Sequence, residues 1–196
     1  RVLSTYKRPQ PWLDVAFVER ARPFRIGVPA INEFPSEVWG RIAADRARNF
    51  RSWLKKEADR RGYRPLRDGI AEYLRTSRGV RCTAEQIVIV SGIQQALDLL
   101  SRLLLKRSDP IWMEDPGYFG ARIAFENVGA RIIAVPVNDE GLSVSSGIKI
   151  CPDAKGAYVT PAHQFPLGVT MSLERRMALL SWASRAGAFV IEDDYD

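Results

Sequence analysis

The stretch that most constrains the fold is residues 87–100, where an apolar run, a glycine turn and a helical pattern follow one another directly. Residues 87–90 are all β-branched, which is typical of a buried strand. Ser91 and Gly92 suit a tight turn, because serine caps helices and glycine has no Cβ to clash. From Gln94 onward, leucines and alanines recur at helical spacing. The stretch therefore predicts a buried strand that turns directly into a helix.

The start of this helix is a candidate phosphate site. The first backbone N–H groups of a helix have no partner within it, and the helix dipole is positive at that end. A phosphate would sit at the amides of Gly92, Ile93 and Gln94. A plain strand–turn–helix connection, which occurs in every α/β protein, has the same pattern. This stretch alone therefore does not distinguish a phosphate site from a plain connection.

Composition narrows the class of protein. The 196 residues fit one domain or one and a half, and a hydrophobic content of 46% is enough for a sizeable core. The formal charge of +6 allows an acidic partner without requiring one. Two cysteines and one histidine form neither a disulfide framework nor a metal-ligand pattern, so no metal is predicted. No apolar run is long enough for a membrane span and no signal peptide is visible, which favours a reduced, cytoplasmic compartment.

The two ends of the chain differ in character. Residues 1–23 contain three prolines among basic residues and are predicted to be a linker or arm. Residues 24–196 are predicted to be part of a single domain. The chain begins at Arg1 rather than methionine and ends at Asp196, just past a strand-like segment, which suggests a truncated protein.

Strand and helix patterns alternate from residue 87 to the end. Two helices are expected before that point, one after Pro35 and one over residues 63–74 with Leu66, Ile70, Tyr73 and Leu74 on its core side. Short apolar strands separated by amphipathic helices predict an α/β fold, a mostly parallel sheet with helices on both faces. The predicted strands are 87–90, 111–114, 131–137, 156–160 and 188–192, with helices at 94–104, 119–128 and 173–186.

Polar or aromatic residues directly follow four of these strands. In parallel sheets, ligands bind at the carboxyl ends of the strands, and those ends share one edge of the sheet. We therefore expect the four clusters to meet on one rim, and their convergence favours a functional site more than any single motif does. The clusters are residues 91–92, 115–118, 161–165 and 193–195.

Three side chains on this rim suggest one ligand. Tyr118 could lie flat on a planar ring, Asp193 could pair with a cationic ring nitrogen, and Tyr195 could donate to a phenolic oxygen. Each also has a structural explanation, as a surface tyrosine, a capping carboxylate and a packing residue. Phosphate, planar ring, cationic nitrogen and phenolate together describe pyridoxal 5′-phosphate (PLP), whose protonated ring accepts electrons from a substrate carbanion.

Five segments also resemble a known family. In their order along the chain, they are similar to the aminotransferase-like domain of MocR-type regulators, which belong to the GntR superfamily of bacterial transcription factors. Such regulators join a winged-helix DNA-binding domain to a fold-type I PLP domain. The resemblance covers roughly residues 22–196. The segments are 90–99, 114–118, 159–168, 170–176 and 191–196.

The resemblance implies a cofactor, partners and site residues. PLP would be the cofactor, an amine or amino acid the effector, DNA the partner of a winged-helix domain outside this chain, and the protein a homodimer. No catalytic residue is assigned, because the family's Schiff-base lysine lies some tens of residues after the Asp-Tyr motif and hence outside this chain. The implied cofactor-binding residues are Gly92, Ile93 and Gln94 for the phosphate, Tyr118 for the ring face, Asp193 for the ring nitrogen, Tyr195 for the 3′-oxygen and His163 nearby.

This chain departs from the family at three places. Phe165 stands where plain aminotransferases often have asparagine, and Leu167 where threonine is usual. Residues 57–61 replace a Tyr-Gly-Asp-Pro stretch whose tyrosine can reach a partner subunit's phosphate. The resemblance therefore does not carry over a shared dimer site.

These observations favour an effector-sensing domain of a transcription regulator. One alternative is a free-standing PLP-dependent aminotransferase acting on an amino acid, and another is a scaffold that binds no cofactor. The sequence before Arg1 would separate the first two, since a winged-helix module indicates the regulator and a nearby start methionine the enzyme.

Overall fold

The computed structural model describes residues 30–48, 50 and 59–195. The chain divides into two compact units, residues 1–58 and 59–196. In the first unit, a short 3₁₀ turn at Ile31–Glu33 precedes helix α1 (Ser36–Arg48), which starts directly after Pro35 as predicted. The predicted arm, residues 1–23, lies outside the described residues.

The second unit is a sheet with helices on both faces. Its strands are ordered β3-β2-β1-β4-β5, and all neighbouring pairs are parallel except β2 with β3. The predicted α/β class with a mostly parallel sheet is confirmed. No helix in the described ranges is long and apolar enough to cross a membrane. The elements are α2 (Arg64–Arg78), α3 (Ile93–Leu104), β1 (Pro110–Asp115), α4 (Phe119–Asn127), β2 (Arg131–Asn138), β3 (Gly141–Leu142), α5 (Val144–Ile150), β4 (Gly156–Val159), α6 (Leu173–Ala186) and β5 (Phe189–Glu192).

Alternation along β1 divides the core between the two faces of the sheet. Ile111 and Met113 point to the side of α3 and α4, whereas Trp112 points to the side of α5 and α6. Trp112 stacks on Trp182 with ring centroids 3.6 Å apart and an interplanar angle of 13°. A Cβ at Gly147 would lie 2.8 Å from the Trp112 ring, so only glycine lets α5 approach this closely.

The predicted strand at residues 87–90 is not a strand in the structure. The segment has no partner strand among the described residues. Its described backbone bonds run from Ile87 N to Ala84 O at 3.3 Å and from Ile89 N to Arg61 O at 2.8 Å. Ile89 instead packs on Gly62, where a Cβ would come within 2.6 Å of it. Because a strand is defined by ladder hydrogen bonds, β-branched composition alone was not sufficient.

The buried face of helix α2 matches the predicted one only in part. Of the four residues expected to face the core, Ile70 and Leu74 are partly buried, whereas Leu66 and Tyr73 are exposed. The fully buried residues are Arg67 and Ala71. The Arg67 guanidinium donates to Ala84 O at 2.6 Å and pairs with the Asp59 carboxylate. Hydrogen bonding to these groups offsets the cost of burying the charge, which an apolar pattern cannot predict.

Replacing Trp182 tests how much the stacked tryptophan pair stabilises the sheet. Trp182→Ala removes the stacked ring and its hydrogen bond to Pro152 O (3.0 Å). We expect a loss of about 3–5 kcal/mol in the free energy of unfolding. Urea titration of the protein and of the control Ser184→Ala, an exposed position on the same helix, measures this loss. Equal midpoints for the two variants would contradict it.

Candidate cofactor site at the carboxyl edge of the sheet

The candidate site lies where β1, β4 and β5 end. These strands are neighbours and run parallel, with Met113 paired to Tyr158 and Tyr158 paired to Ile191. The segments that follow them therefore leave the sheet at the same edge, as predicted.

The start of α3 and the turn after β1 come together. Gln94 Nε2 donates to Tyr118 Oη at 2.8 Å, so the predicted phosphate site and the predicted ring-stacking tyrosine are in direct contact. The amides of Ile93 and Gln94 precede the first intrahelical bond and are available to an anion. A Cβ at Gly92 would meet nothing within 4 Å, so open space lies beside these amides.

Phe165 and Gly120 also surround Tyr118. Its ring meets the Phe165 ring edge to face, with centroids 5.8 Å apart and an interplanar angle of 88°. A Cβ at Gly120 would lie 2.6 Å from the Tyr118 ring and 2.1 Å from Gln94 Nε2. Glycine at this position therefore permits the contact between Gln94 and Tyr118.

Asp193, directly after β5, is anchored through both its backbone and its side chain. Its amide donates to Val159 O at 2.9 Å. Its Oδ2 accepts a hydrogen bond from the hydroxyl of Tyr158, the penultimate residue of the neighbouring strand β4. No sequence motif had indicated a role for Tyr158.

Tyr195 and His163 form a second contact on the rim. The Tyr195 hydroxyl donates to His163 O at 2.7 Å, and the two rings are nearly parallel with centroids 6.0 Å apart. Both residues are exposed, and the His163 ring lies against Gly168. Sequence reasoning placed both residues at the cofactor but did not foresee their contact with each other.

A buried carboxyl group joins the segments that follow β1 and β4. Glu114 Oε2 accepts from Thr160 Oγ1 at 2.7 Å, from Thr160 N at 3.2 Å and from Gln164 Nε2 at 3.1 Å. Its Oε1 is buried without a partner among the described residues. Gln164 Nε2 also donates to Pro116 O at 2.9 Å, which ties the loop to the turn that carries Tyr118.

Burial sets the protonation of the two ionisable groups beneath the rim. Burial raises the pKa of Glu114 above its ordinary 4.5, against the opposing effect of its hydrogen bonds to Thr160 and Gln164. Burial, followed by the hydrogen bond to the Asp193 carboxylate, raises the pKa of Tyr158 well above its usual range. Glu114 and Tyr118 act on Tyr158 in the same direction, so these groups share one neighbourhood.

Sequence reasoning missed Glu114, although a signal was present. The residue follows the apolar residues 110–113 of β1, and a buried carboxylate in such a position requires partners. The structure supplies those partners from Thr160 and Gln164, 46 and 50 residues further along the chain.

Comparison with known proteins identifies the family. The sequence pattern described as "Aminotransferase class I and II" matches residues 26–194. The chain belongs to this family. The resemblance to MocR-type regulators found in the sequence is also confirmed by the relatives described next.

Two regulators are similar to this chain over 173 residues. The probable rhizopine catabolism regulatory protein MocR of Rhizobium meliloti is 40% identical, over 88% of this chain and 35% of its own length. The uncharacterized HTH-type transcriptional regulator YdeL of Bacillus subtilis is 38% identical, over 88% of this chain and 37% of its own length. The chain thus spans about a third of the curated regulators it matches.

A solved enzyme has the same fold. Kynurenine aminotransferase from Pyrococcus horikoshii, crystallised in complex with PMP, KYN and KYA, superimposes with a TM-score of 0.78 and 32% identity. The match covers 86% of this chain and 43% of the enzyme.

Glu114→Gln tests the protonation of the buried carboxyl. Because its pKa is raised in the folded state, the unfolded chain releases this proton at lower pH than the folded protein. The free energy of unfolding therefore falls as pH rises from about 4.5 towards the folded-state pKa. Glutamine keeps the acceptor but has no proton to release, so this part of the pH dependence disappears.

Urea titrations from acidic to neutral pH measure this effect, with the exposed Glu126→Gln as control. An unchanged pH profile for Glu114→Gln would contradict a raised pKa. Glu114→Ala, which removes the acceptor of the Thr160 amide and hydroxyl, is expected to cost about 2–4 kcal/mol at every pH in this range.

Proposed function

We propose that this chain is part of the PLP-binding, effector-sensing domain of a bacterial transcription regulator of the MocR type. The regulator would bind DNA through a winged-helix domain outside this chain, respond to an amine or amino acid, act as a homodimer and reside in the cytoplasm. Residues 24–196 would be the first portion of the sensing domain, preceded by a linker over residues 1–23.

The observation that carries the proposal is the meeting of the α3 start, Tyr118 and Asp193 on one rim. The amides of Ile93 and Gln94 suit a phosphate, because they lie at the positive end of a 12-residue helix beside open space. Tyr118, fixed by Gln94 and Phe165, has an aromatic ring suited to stacking on the cofactor. These groups match the phosphate and the planar ring of PLP.

The ring nitrogen and the 3′-oxygen of PLP would pair with residues that follow β5. Asp193 would hold the proton on the pyridine nitrogen, since a carboxylate stabilises the charged form of a neighbouring ring. When bound, the cofactor supplies an electron sink for a carbanion of an amine substrate. Tyr195 would serve the 3′-oxygen by exchanging its present hydrogen bond to the His163 carbonyl.

The regulator is favoured over the enzyme by the ranking of relatives. Regulators are 40% and 38% identical to this chain, compared with 32% for the kynurenine aminotransferase. A free-standing aminotransferase remains the second candidate, because the enzyme superimposes over most of the chain.

Binding measurements on the full-length protein separate the candidates. A regulator binds its promoter DNA, carries PLP, and changes its DNA affinity when an amine or amino acid reacts with the cofactor. An enzyme turns over an amino acid and a keto acid without binding DNA. A full-length protein that retains no PLP after the unbound cofactor is removed by dialysis would overturn both proposals and favour the cofactor-free scaffold.

Asp193→Asn tests the pairing with the ring nitrogen. We expect it to weaken PLP binding about tenfold or more, because the pyridinium loses its counter-charge. Absorbance titration of the full-length apoprotein measures the dissociation constant, with the exposed turn residue Asp139→Asn as a matched control. An unchanged affinity in Asp193→Asn would count against the assignment.

The lysines of this chain provide a further test. None of Lys7, Lys55, Lys56, Lys106, Lys149 and Lys155 lies in the Ser-x-x-Lys-like context that the family uses to hold PLP covalently. Borohydride reduction of the PLP-loaded full-length protein, followed by peptide mass spectrometry, should therefore place the pyridoxyl group outside these 196 residues. A stoichiometric adduct on any of the six lysines would refute the prediction.

A further inference from the structure

Tyr158 is a buried polar side chain next to the candidate site for which sequence reasoning gave no role. It is fully buried on β4, with its backbone paired to Met113 on one side and Ile191 on the other. Its ring packs against Phe125 of α4, with centroids 5.9 Å apart and an interplanar angle of 67°. The ring therefore has a single position, and so does its hydroxyl.

The hydroxyl is directed at the carboxylate of Asp193. It donates to Oδ2, and no described hydrogen bond in residues 59–195 engages Oδ1. The Asp193 backbone is fixed by its own bond to Val159 O. With the backbone and one oxygen both anchored, the plane of the carboxylate and the direction of Oδ1 are determined.

We propose that Tyr158 is a positioning residue that orients the Asp193 carboxylate so that Oδ1 receives the N–H of the cofactor's pyridinium ring. This inference rests on the proposed function. The tyrosine acts through Asp193 and does not itself touch the cofactor. Burial raises the pKa of Tyr158, so its hydroxyl is protonated at neutral pH and remains a donor.

Two structural features give Tyr158 this role and not merely a place in the core. A hydroxyl needing only a partner could bond to a backbone oxygen, as Tyr195 does. Tyr158 instead donates to Asp193, the carboxylate expected to pair with the ring nitrogen. Asp193 lies 35 residues further along the chain, directly after the neighbouring strand β5. Its ring, in the α3–α4 side of the core, supplies the rigidity that the orientation needs.

Tyr158→Phe isolates the hydroxyl, because phenylalanine keeps the ring that packs on Phe125. In the full-length apoprotein we expect the dissociation constant for PLP to rise about three- to tenfold. Tyr73→Phe, an exposed tyrosine on α2, is the matched control and should bind as the wild type does. Unfolding midpoints without cofactor establish that both variants fold.

A double-mutant cycle with Asp193→Asn distinguishes positioning from packing. If Tyr158 acts through Asp193, the effect of Tyr158→Phe on PLP affinity disappears in the Asp193→Asn background. Equal effects in both backgrounds, or wild-type affinity in Tyr158→Phe, would overturn the inference while leaving the proposed function intact. Failure of the wild type and of Tyr73→Phe to bind PLP would instead overturn the proposed function, and this inference with it.

Discussion

Parallel pairing of β1, β4 and β5 is the constraint on which the candidate site depends. Parallel neighbours need a crossover connection, so the chain passes over a face of the sheet before each strand begins. Each strand then delivers its carboxyl end to the same edge, where the ladder stops and side chains can face a ligand. The turn with Tyr118, the loop with His163 and the tail with Asp193 are thus brought together by backbone pairing and not by affinity for one another.

The side chains just beneath this edge give the rim a defined shape. Glu114 accepts hydrogen bonds from Thr160 and Gln164, and Gln164 also donates to the Pro116 carbonyl in the turn after β1. Tyr158 likewise reaches Asp193 from inside the core. Polar groups at the boundary between core and site are costly unless satisfied, and once satisfied they restrict the loops to one arrangement. The same buried network therefore contributes to both folding and positioning.

Sequence patterns predicted the parts of this protein that local periodicity controls. The helices, four of the five predicted strands and three of the four strand-end clusters on the rim followed from spacing and turn residues. The patterns failed where partners that are distant in the sequence determine the pairing of a segment or the burial of a side chain. Residues 87–90 have strand composition but no ladder, and α2 buries Arg67 because Ala84 and Asp59 accept its hydrogen bonds. Glu114 was overlooked for the same reason, since its donors lie 46 and 50 residues further along the chain.

Tyr158 and Tyr195 differ in how firmly their hydroxyl groups are held, and this difference distinguishes a preorganised part of the candidate site from an adaptable part. Tyr158 is fully buried in the core and donates to the Asp193 side chain, so the Asp193 carboxylate has its orientation before any ligand binds. Tyr195 is about half exposed and bonds to a backbone oxygen that water can equally well satisfy. Giving up that bond to a ligand costs little, because the released His163 carbonyl becomes hydrated. In the proposed assignment, the ring nitrogen would therefore meet a fixed partner, and the 3′-oxygen a partner that adjusts as the ligand binds.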